Sequence, residues 1–188
     1  MKYLLLISVL VLQSFCVYGK EMMVCDFESE KEIKSWDMEL GCKMEISKEN
    51  VTSGKSSAKV IFPANPKEYP AVSLTLKKLD KPNWKDFDYL VIEIFNPGTE
   101  TVMAGYKIED ALSHVDDNST EARTSRSTDS FALKPGKNTI EVEIAGMVTF
   151  DKKRSIKFED LRLIAIGLAT PAVDTILYID NIHLKTEE

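Results

Sequence analysis

The chain has 188 residues, of which 44% are hydrophobic and 29% are charged, and its formal net charge at pH 7 is −6. This length is typical of a single domain. A net negative charge argues against nucleic acid or an anionic membrane surface as a partner.

The first segment, residues 1–19, has the features of a secretory signal peptide. It contains Lys2, an apolar run and a small residue, Gly19, at the predicted cleavage site. The run is shorter than the roughly 20 residues that span a bilayer. We therefore predict a secreted or periplasmic domain of residues 20–188 with no membrane insertion after cleavage. A lipid anchor at Cys16 is the alternative.

Cleavage would leave two cysteines, Cys25 and Cys42. Two cysteines in a secreted chain suggest one disulfide bond, which would stabilise the fold by roughly 3 kcal/mol. A pair of buried free thiols is the alternative. The sequence has no CxxC pair and no Cys/His cluster, so neither a redox motif nor a zinc site is indicated.

Most of the remaining chain alternates apolar and polar residues with a period of two, which indicates β-strands with one buried face. We predict about ten strands, at 22–28, 41–47, 56–62, 71–76, 88–95, 101–109, 129–133, 138–145, 161–168 and 175–184. The stretches 88–95 and 161–169 are apolar on both faces and should be central. Short helices are plausible only at 29–36 and 157–161. The sequence therefore predicts an all-β, two-sheet antiparallel sandwich.

Two stretches stand out from this pattern. Residues 110–129 form a long polar segment without periodicity, and such loops are usually functional or mobile. In the last strand, a period of two places Asp180 on the same face as the apolar residues Ile182 and Leu184. A carboxylate on an apolar face must be compensated, by Lys55, by backbone amides, by water at a rim or by a metal ion.

Six segments occur in a familiar order: CDFESEKEIKSW, NVTSGKSSAKVIF, NWKDFDYLVIEIFNPG, FALKPGKNTIEVEI, LRLIAIGL and TILYIDNIHL. In these segments the chain resembles the galactose-binding-like jelly-roll carbohydrate-binding modules found beside secreted bacterial polysaccharide-degrading enzymes. The resemblance covers residues 22–185. Its motifs are mostly structural, so they point to the fold more specifically than to a ligand.

The resemblance also implies a structural calcium ion between the first and last strands. The matching positions are Glu28, Asp180 and the carbonyl groups around Gly54, with Asp26 as a further ligand. Calcium prefers six to eight oxygen ligands, which carboxylates and carbonyls supply.

Candidate sugar-binding residues are an exposed aromatic ring and a group of charged side chains. Tyr69, in a turn, is the best platform for stacking on a pyranose. The charged candidates are Lys107, Glu109, Asp110, Arg123 and Arg126. Arginine side chains bind a sugar carboxylate or a sulfate through paired hydrogen bonds. Ordinary solvated charges are the alternative for each.

The sequence contains no GxSxG, HExxH, Walker or GxGxxG motif, so an enzyme is not indicated. We predict a secreted noncatalytic module that binds a plant or algal type of polysaccharide or oligosaccharide, with an extracellular enzyme as a possible partner. The alternatives are a scaffold for protein assembly, with 110–129 as the contact surface, and a glycan hydrolase or lyase.

Overall fold

The computed structural model describes residues 19–65, 67–79, 83–113 and 119–187. These residues contain eleven strands and two short α-helices, and none of the helices is long and apolar enough to span a membrane. In chain order the elements are β1 (Glu21–Cys25), α1 (Glu30–Ile33), β2 (Trp36–Met38), β3 (Lys43–Ser47), β4 (Ser57–Phe62), β5 (Ala71–Thr75), a 3-10 helix (Leu76–Leu79), β6 (Tyr89–Asn96), β7 (Val102–Asp110), α2 (Thr120–Thr124), β8 (Ser127–Leu133), β9 (Gly136–Glu143), β10 (Leu161–Leu168) and β11 (Thr175–Lys185).

The strands form two antiparallel sheets. Sheet A has the order β3-β4-β11-β6-β9, with β1 also paired to β11, and sheet B has the order β2-β5-β10-β7-β8. Apolar side chains from both sheets fill the space between them. The predicted all-β two-sheet sandwich is therefore confirmed.

All ten predicted strands are present, with boundaries that differ by a few residues. The sequence missed β2, which is only three residues long and contributes a single buried side chain, Trp36. Helix α1 lies within the predicted 29–36 helix. The prediction of a helix at 157–161 is wrong, because Leu161 already belongs to β10.

The interpretation of 110–129 as a loop throughout is also wrong. Residues 120–124 form α2, whose N-cap Ser119 accepts a hydrogen bond from the Ala122 amide, and β8 begins at Ser127. Positions 114–118 lie outside the described residues, as does the predicted signal peptide up to residue 18.

A β-bulge in β11 corrects the predicted side of Asp180. Ile179 and Ile182 both point into the core although they are three residues apart, and the register with β6 shifts between Asp180 and His183. Asn181 takes the extra position with φ of +46°. Asp180 therefore lies on the outer face of sheet A, not beside Ile182 and Leu184 as a strict period of two predicts.

The predicted disulfide bond is absent, because Cys25 and Cys42 are both buried free thiols. Cys25 pairs with Ile182 of β11. Lys43, the residue after Cys42, pairs with Ile61 of β4, and Ile61 pairs with Ile176 of β11. Six residues of strand separate these two levels by roughly 20 Å. A disulfide bond requires Cα atoms within about 7 Å.

Candidate functional site

The outer face of sheet B presents mainly small and polar side chains. Its members alternate with core residues such as Leu74, Ile108 and Ile166, and they pair across neighbouring strands. The small and polar members are Asp37, Ser73, Thr75, Ala165, Gly167, Gly105, Lys107, Glu109, Thr128 and Ser130, and two larger apolar members are Met103 and Leu163. We call this surface the sheet B face.

Four charged side chains form a cluster at one end of the sheet B face. Glu109 is only 1% exposed although it points away from the core. Its Oε1 lies 3.2 Å from Nη1 of Arg126 and 3.6 Å from Nζ of Lys107, and its Oε2 accepts a hydrogen bond from Nη2 of Arg162. We call these four residues the Glu109 cluster. Three of them were predicted from sequence, and the structure brings them together.

Arg162 was missed by the sequence analysis because a bulge places it. Leu161 and Ile164 both point into the core, three residues apart, and the register with β7 shifts between Leu161 and Leu163. The bulge sets the Arg162 side chain beside Glu109. The signal was present in the spacing of Leu161 and Ile164, which breaks a period of two.

Burial shapes the chemistry of the cluster. The side chains of Lys107, Arg126 and Arg162 are 17%, 16% and 27% exposed. Burial lowers the pKa of the Arg162 guanidinium below its ordinary value. Its Nε is buried and has no hydrogen-bond acceptor among the described residues. The cations are thus held in fixed positions and remain partly open to solvent.

Asp110, another predicted ligand-binding residue, faces a structural partner. Arg154 binds it with both nitrogens, Nη1 to Oδ2 at 2.5 Å and Nη2 to Oδ1 at 2.9 Å, and the Lys157 amide donates to Oδ2 at 2.8 Å. Burial alone would raise the pKa of Asp110, but these donors and the Ser113 hydroxyl hold it below its ordinary value. Asp110 is wholly buried and anchors the segment 154–157 to β7.

The remaining candidates lie apart from the cluster. Tyr69 is 67% exposed and precedes β5, at the level where Ala71 pairs with Gly167. Glu109 pairs with Leu163, four residues further along β10, so roughly 13 Å of strand separates the two levels. Arg123 is exposed on α2.

One exposed aromatic residue, Phe150, is connected to the cluster by a backbone hydrogen bond to Arg126. Phe150 is 63% exposed, and its amide donates to the carbonyl of Arg126 at 2.8 Å. The next residue, Asp151, bonds in the same way to Thr124 at 3.3 Å. Sequence analysis missed Phe150 because it stands alone in a turn, without a pattern around it.

A second group of carboxylates, Glu28 after β1 and Asp180 in β11, binds the turn before β4. Oδ2 of Asp180 accepts hydrogen bonds from the Thr52 amide, the Thr52 hydroxyl and the Ser53 amide at 2.8, 3.0 and 3.0 Å. Oε1 of Glu28 accepts from the Lys55 and Ser56 amides at 2.6 and 3.0 Å, which lowers the pKa of Glu28. Backbone amides, one of the alternatives considered above, therefore compensate Asp180.

The same residues also fit a hard cation, because each carboxylate keeps an oxygen outside this amide network. Oε2 of Glu28 accepts no hydrogen bond among the described residues, and Oδ1 of Asp180 accepts only from the Asn181 amide. Asp26 lies nearby in sequence, and its Oδ1 accepts from the Glu28 amide. No group of three or more His, Cys, Asp or Glu side chains among the described residues is arranged for a metal, so backbone carbonyls would have to complete a calcium shell.

Gly54 lies at the centre of this junction. Its φ is +68°, and a Cβ atom added there would come within 2.3 Å of Oε1 of Glu28. A glycine is required at this position for both reasons. The turn at residues 52–56 thus brings Glu28, Gly54 and Asp180 together, as the sequence predicted.

No protein-family model and no curated protein sequence matches the chain. The fold is similar to solved structures. A family 11 carbohydrate-binding module from Clostridium thermocellum, in complex with a β-1,3-1,4-mixed-linked tetrasaccharide, has 16% identity and a TM-score of 0.66 over 89% of this chain and 96% of its own. The CBM22-1 xylan-binding domain of Xyn10C from Paenibacillus barcinonensis has 13% identity and a TM-score of 0.57 over 90% of this chain and 97% of its own.

An exo-β-agarase has 13% identity and a TM-score of 0.66 over 88% of this chain, which matches 25% of the agarase chain. The two modules above therefore match over nearly their whole length, whereas the agarase matches over one part. The resemblance seen in the sequence is confirmed for the fold: the chain has the jelly-roll sandwich of family 11 and family 22 carbohydrate-binding modules.

Proposed function

We propose that this protein is a noncatalytic carbohydrate-binding module whose ligand lies on the sheet B face. The observation that carries the proposal is the Glu109 cluster, in which a buried carboxylate holds three cationic side chains on the outside of a sheet. Removing Glu109 and its three cations from water lowers the stability of the fold. A cluster that costs stability is better explained by ligand binding than by a purely structural role. The fold shared with carbohydrate-binding modules supports carbohydrate as the class of ligand.

The outer face of sheet A is a weaker candidate because its own chain covers part of it. The loop before β4 binds Asp180 through Thr52 and Ser53, and Glu49 accepts a hydrogen bond from the Tyr178 hydroxyl at 2.6 Å. Tyr178 is only 5% exposed as a result. The sheet B face instead keeps the side chains of Lys107, Arg126 and Arg162 partly exposed, at 17%, 16% and 27%.

The experiment is affinity electrophoresis of residues 20–188, which include every strand, through gels that contain neutral, uronic or sulfated polysaccharides. We expect at least one polysaccharide to retard the protein. Lys107→Ala should weaken binding at least fivefold. Lys59→Ala is the matched control, because Lys59 lies on sheet A with a side chain that is 27% exposed and an ion pair to Glu45 at 3.9 Å.

Retardation by none of these polysaccharides would contradict the proposal and favour the assembly scaffold. Equal effects of the Lys107 and Lys59 substitutions would place the site elsewhere. Release of reducing sugar from a bound polysaccharide would favour the hydrolase or lyase.

We also propose that the protein acts outside the cytoplasm, after removal of residues 1–19, and that a calcium ion reinforces the junction of Glu28, Asp180 and the turn at Gly54. The ion would contribute structure and no chemistry at the sheet B face. An enzyme that degrades the same polysaccharide is the partner that such a module would serve.

A further inference from the structure

The Glu109 cluster combines one carboxylate with three cations. Three positive charges and one negative charge sum to +2 for these four side chains, in a chain whose formal net charge is −6. Three cationic side chains therefore surround one carboxylate at one end of the sheet B face.

The hydrogen-bonding groups of the Glu109 cluster also favour an anionic ligand. Both oxygens of Glu109 already contact cations, Oε1 with Lys107 and Arg126 and Oε2 with Arg162. A neutral sugar presents hydroxyl groups that donate as well as accept, so its site needs acceptors within reach. The accessible charged atoms of this cluster are donors, which suit a ligand that carries acceptors only, such as a carboxylate or a sulfate.

Arg162 has capacity beyond its bond to Glu109. Only its Nη2 is engaged with Glu109, and its Nη1 makes no hydrogen bond to another described residue, in a side chain that is 27% exposed. A guanidinium presents five N–H donors in a planar fork that matches the geometry of an oxyanion. The bulge in β10 holds this fork at the sheet B face instead of in solvent.

We propose that the glycan bound on the sheet B face is anionic and that its carboxylate or sulfate group is bound by Arg162 together with Lys107 and Arg126. This inference rests on the proposed carbohydrate-binding function and specifies its ligand class. Phe150 is 63% exposed and its amide is bonded to the Arg126 carbonyl, so its ring is the aromatic surface that we propose for a neighbouring sugar ring.

Matched polymer pairs test the proposal with the unaltered protein. One pair is polygalacturonate and its carboxyl-reduced form, and the other is a carrageenan and its desulfated form. We expect at least tenfold tighter binding to one of the anionic polymers than to its neutral partner, with an affinity that falls as sodium chloride is raised. The pair that shows the difference identifies carboxylate or sulfate as the ligand group.

Equal binding to both members of each pair would overturn the anionic ligand and leave the carbohydrate-binding function intact. Binding to no polymer would overturn the function itself. Poly-glutamate serves as a non-sugar polyanion: retardation as strong as that by the anionic glycan would mean simple ion exchange and would also overturn the proposal.

Two substitutions then test whether the anionic group of the glycan binds at the Glu109 cluster. Arg162→Gln should reduce the preference for the anionic polymer at least fivefold, whereas Lys59→Gln removes one positive charge from sheet A and should leave it unchanged. Equal loss in both variants would indicate a net-charge effect and contradict the assignment to the cluster. The polymer pairs decide the ligand class even if Arg162→Gln does not fold.

Discussion

Thr52 donates two hydrogen bonds to the same oxygen of Asp180, from its amide at 2.8 Å and from its hydroxyl at 3.0 Å. The two residues are 128 positions apart in the chain. The bond therefore closes a gap in sheet A. Along one edge of β11, β1 pairs from Ile182 onwards and β4 pairs only up to Ile179. Asp180 fills the gap that these two strands leave along the edge of β11.

Replacing Asp180 with alanine should destabilise the protein by about 3 kcal/mol. The change leaves the Thr52 and Ser53 amides, which bond in a partly buried setting, without their acceptor, and an unsatisfied buried donor costs about 1–3 kcal/mol. Urea unfolding measures the loss. Asp86→Ala is the control, since its 3.9 Å ion pair with Lys20 is mostly exposed and should be worth under about 1 kcal/mol. Similar losses in both variants would contradict the role of Asp180.

Gly54→Ala should destabilise the protein more than Gly146→Ala. Both glycines have positive φ, +68° and +73°, so both substitutions incur the same backbone strain of about 1 kcal/mol. Only at Gly54 would the new Cβ collide with Glu28 and displace its carboxylate from two amides, whereas nothing lies within 4 Å of the Cβ at Gly146. Thermal unfolding measures the difference, which should shrink in a Glu28→Ala background. An unchanged difference there would exclude the Glu28 contact as the cause.

The sequence predicted the sandwich and ten of its strands because alternation directly reports which face of a strand is buried. It failed where a bulge interrupts the alternation, at Arg162 and at Asp180. A bulge depends on the register of the partner strand, which local spacing reveals only as two core residues three apart. The prediction of a disulfide bond failed for a related reason. The separation of Cys25 and Cys42 along the chain does not show where each lies along the strands of sheet A.

The candidate site was recovered in part. Lys107 and Glu109 share a face by alternation, so their proximity follows from sequence. That Asp110 would be wholly buried against Arg154 does not, because the two residues are 44 positions apart. A polar residue at the end of a strand looks the same in sequence whether it meets a ligand or another part of the chain.

Removal of calcium with EDTA should lower the melting temperature of the protein, and added calcium should restore it. The reason is that Oε2 of Glu28 and Oδ1 of Asp180 would lose the proposed ion between them, and a bound ion stabilises the folded state by mass action. Because the amides of Thr52 and Ser53 still compensate Asp180, we expect a lower melting temperature and no unfolding at room temperature. Differential scanning calorimetry measures the shift. An identical melting temperature with EDTA, with calcium and with magnesium would exclude the ion.

Neither cysteine should react with a thiol reagent in the folded protein. Burial raises the pKa of Cys25 to about 12, with a further contribution from Glu32, and burial raises the pKa of Cys42 to about 11, with a further contribution from Glu39. The thiolate is the reactive form, so both side chains should be inert at pH 8. Residues 20–188 should show no reaction with Ellman's reagent when folded and two equivalents in urea without reductant. No equivalents in urea would mean that a disulfide bond forms after all.

The ion pair of Asp110 and Arg154 should make stability depend on acid pH. The pKa of Asp110 is lower in the folded protein than its ordinary value of 3.8, so the folded state favours the ionised carboxylate. This contribution is complete well above pH 3.8 and is lost as the pH falls from there through the lower folded pKa. Asp110→Asn should cost about 2–3 kcal/mol at pH 6, somewhat less than a wholly buried pair because the Arg154 side chain is 27% exposed. At pH 3 the cost should be smaller, and urea unfolding at both pH values, with Asp86→Ala as the exposed control, measures it. An equal cost at pH 6 and pH 3 would show that the charge of Asp110 does not stabilise the fold.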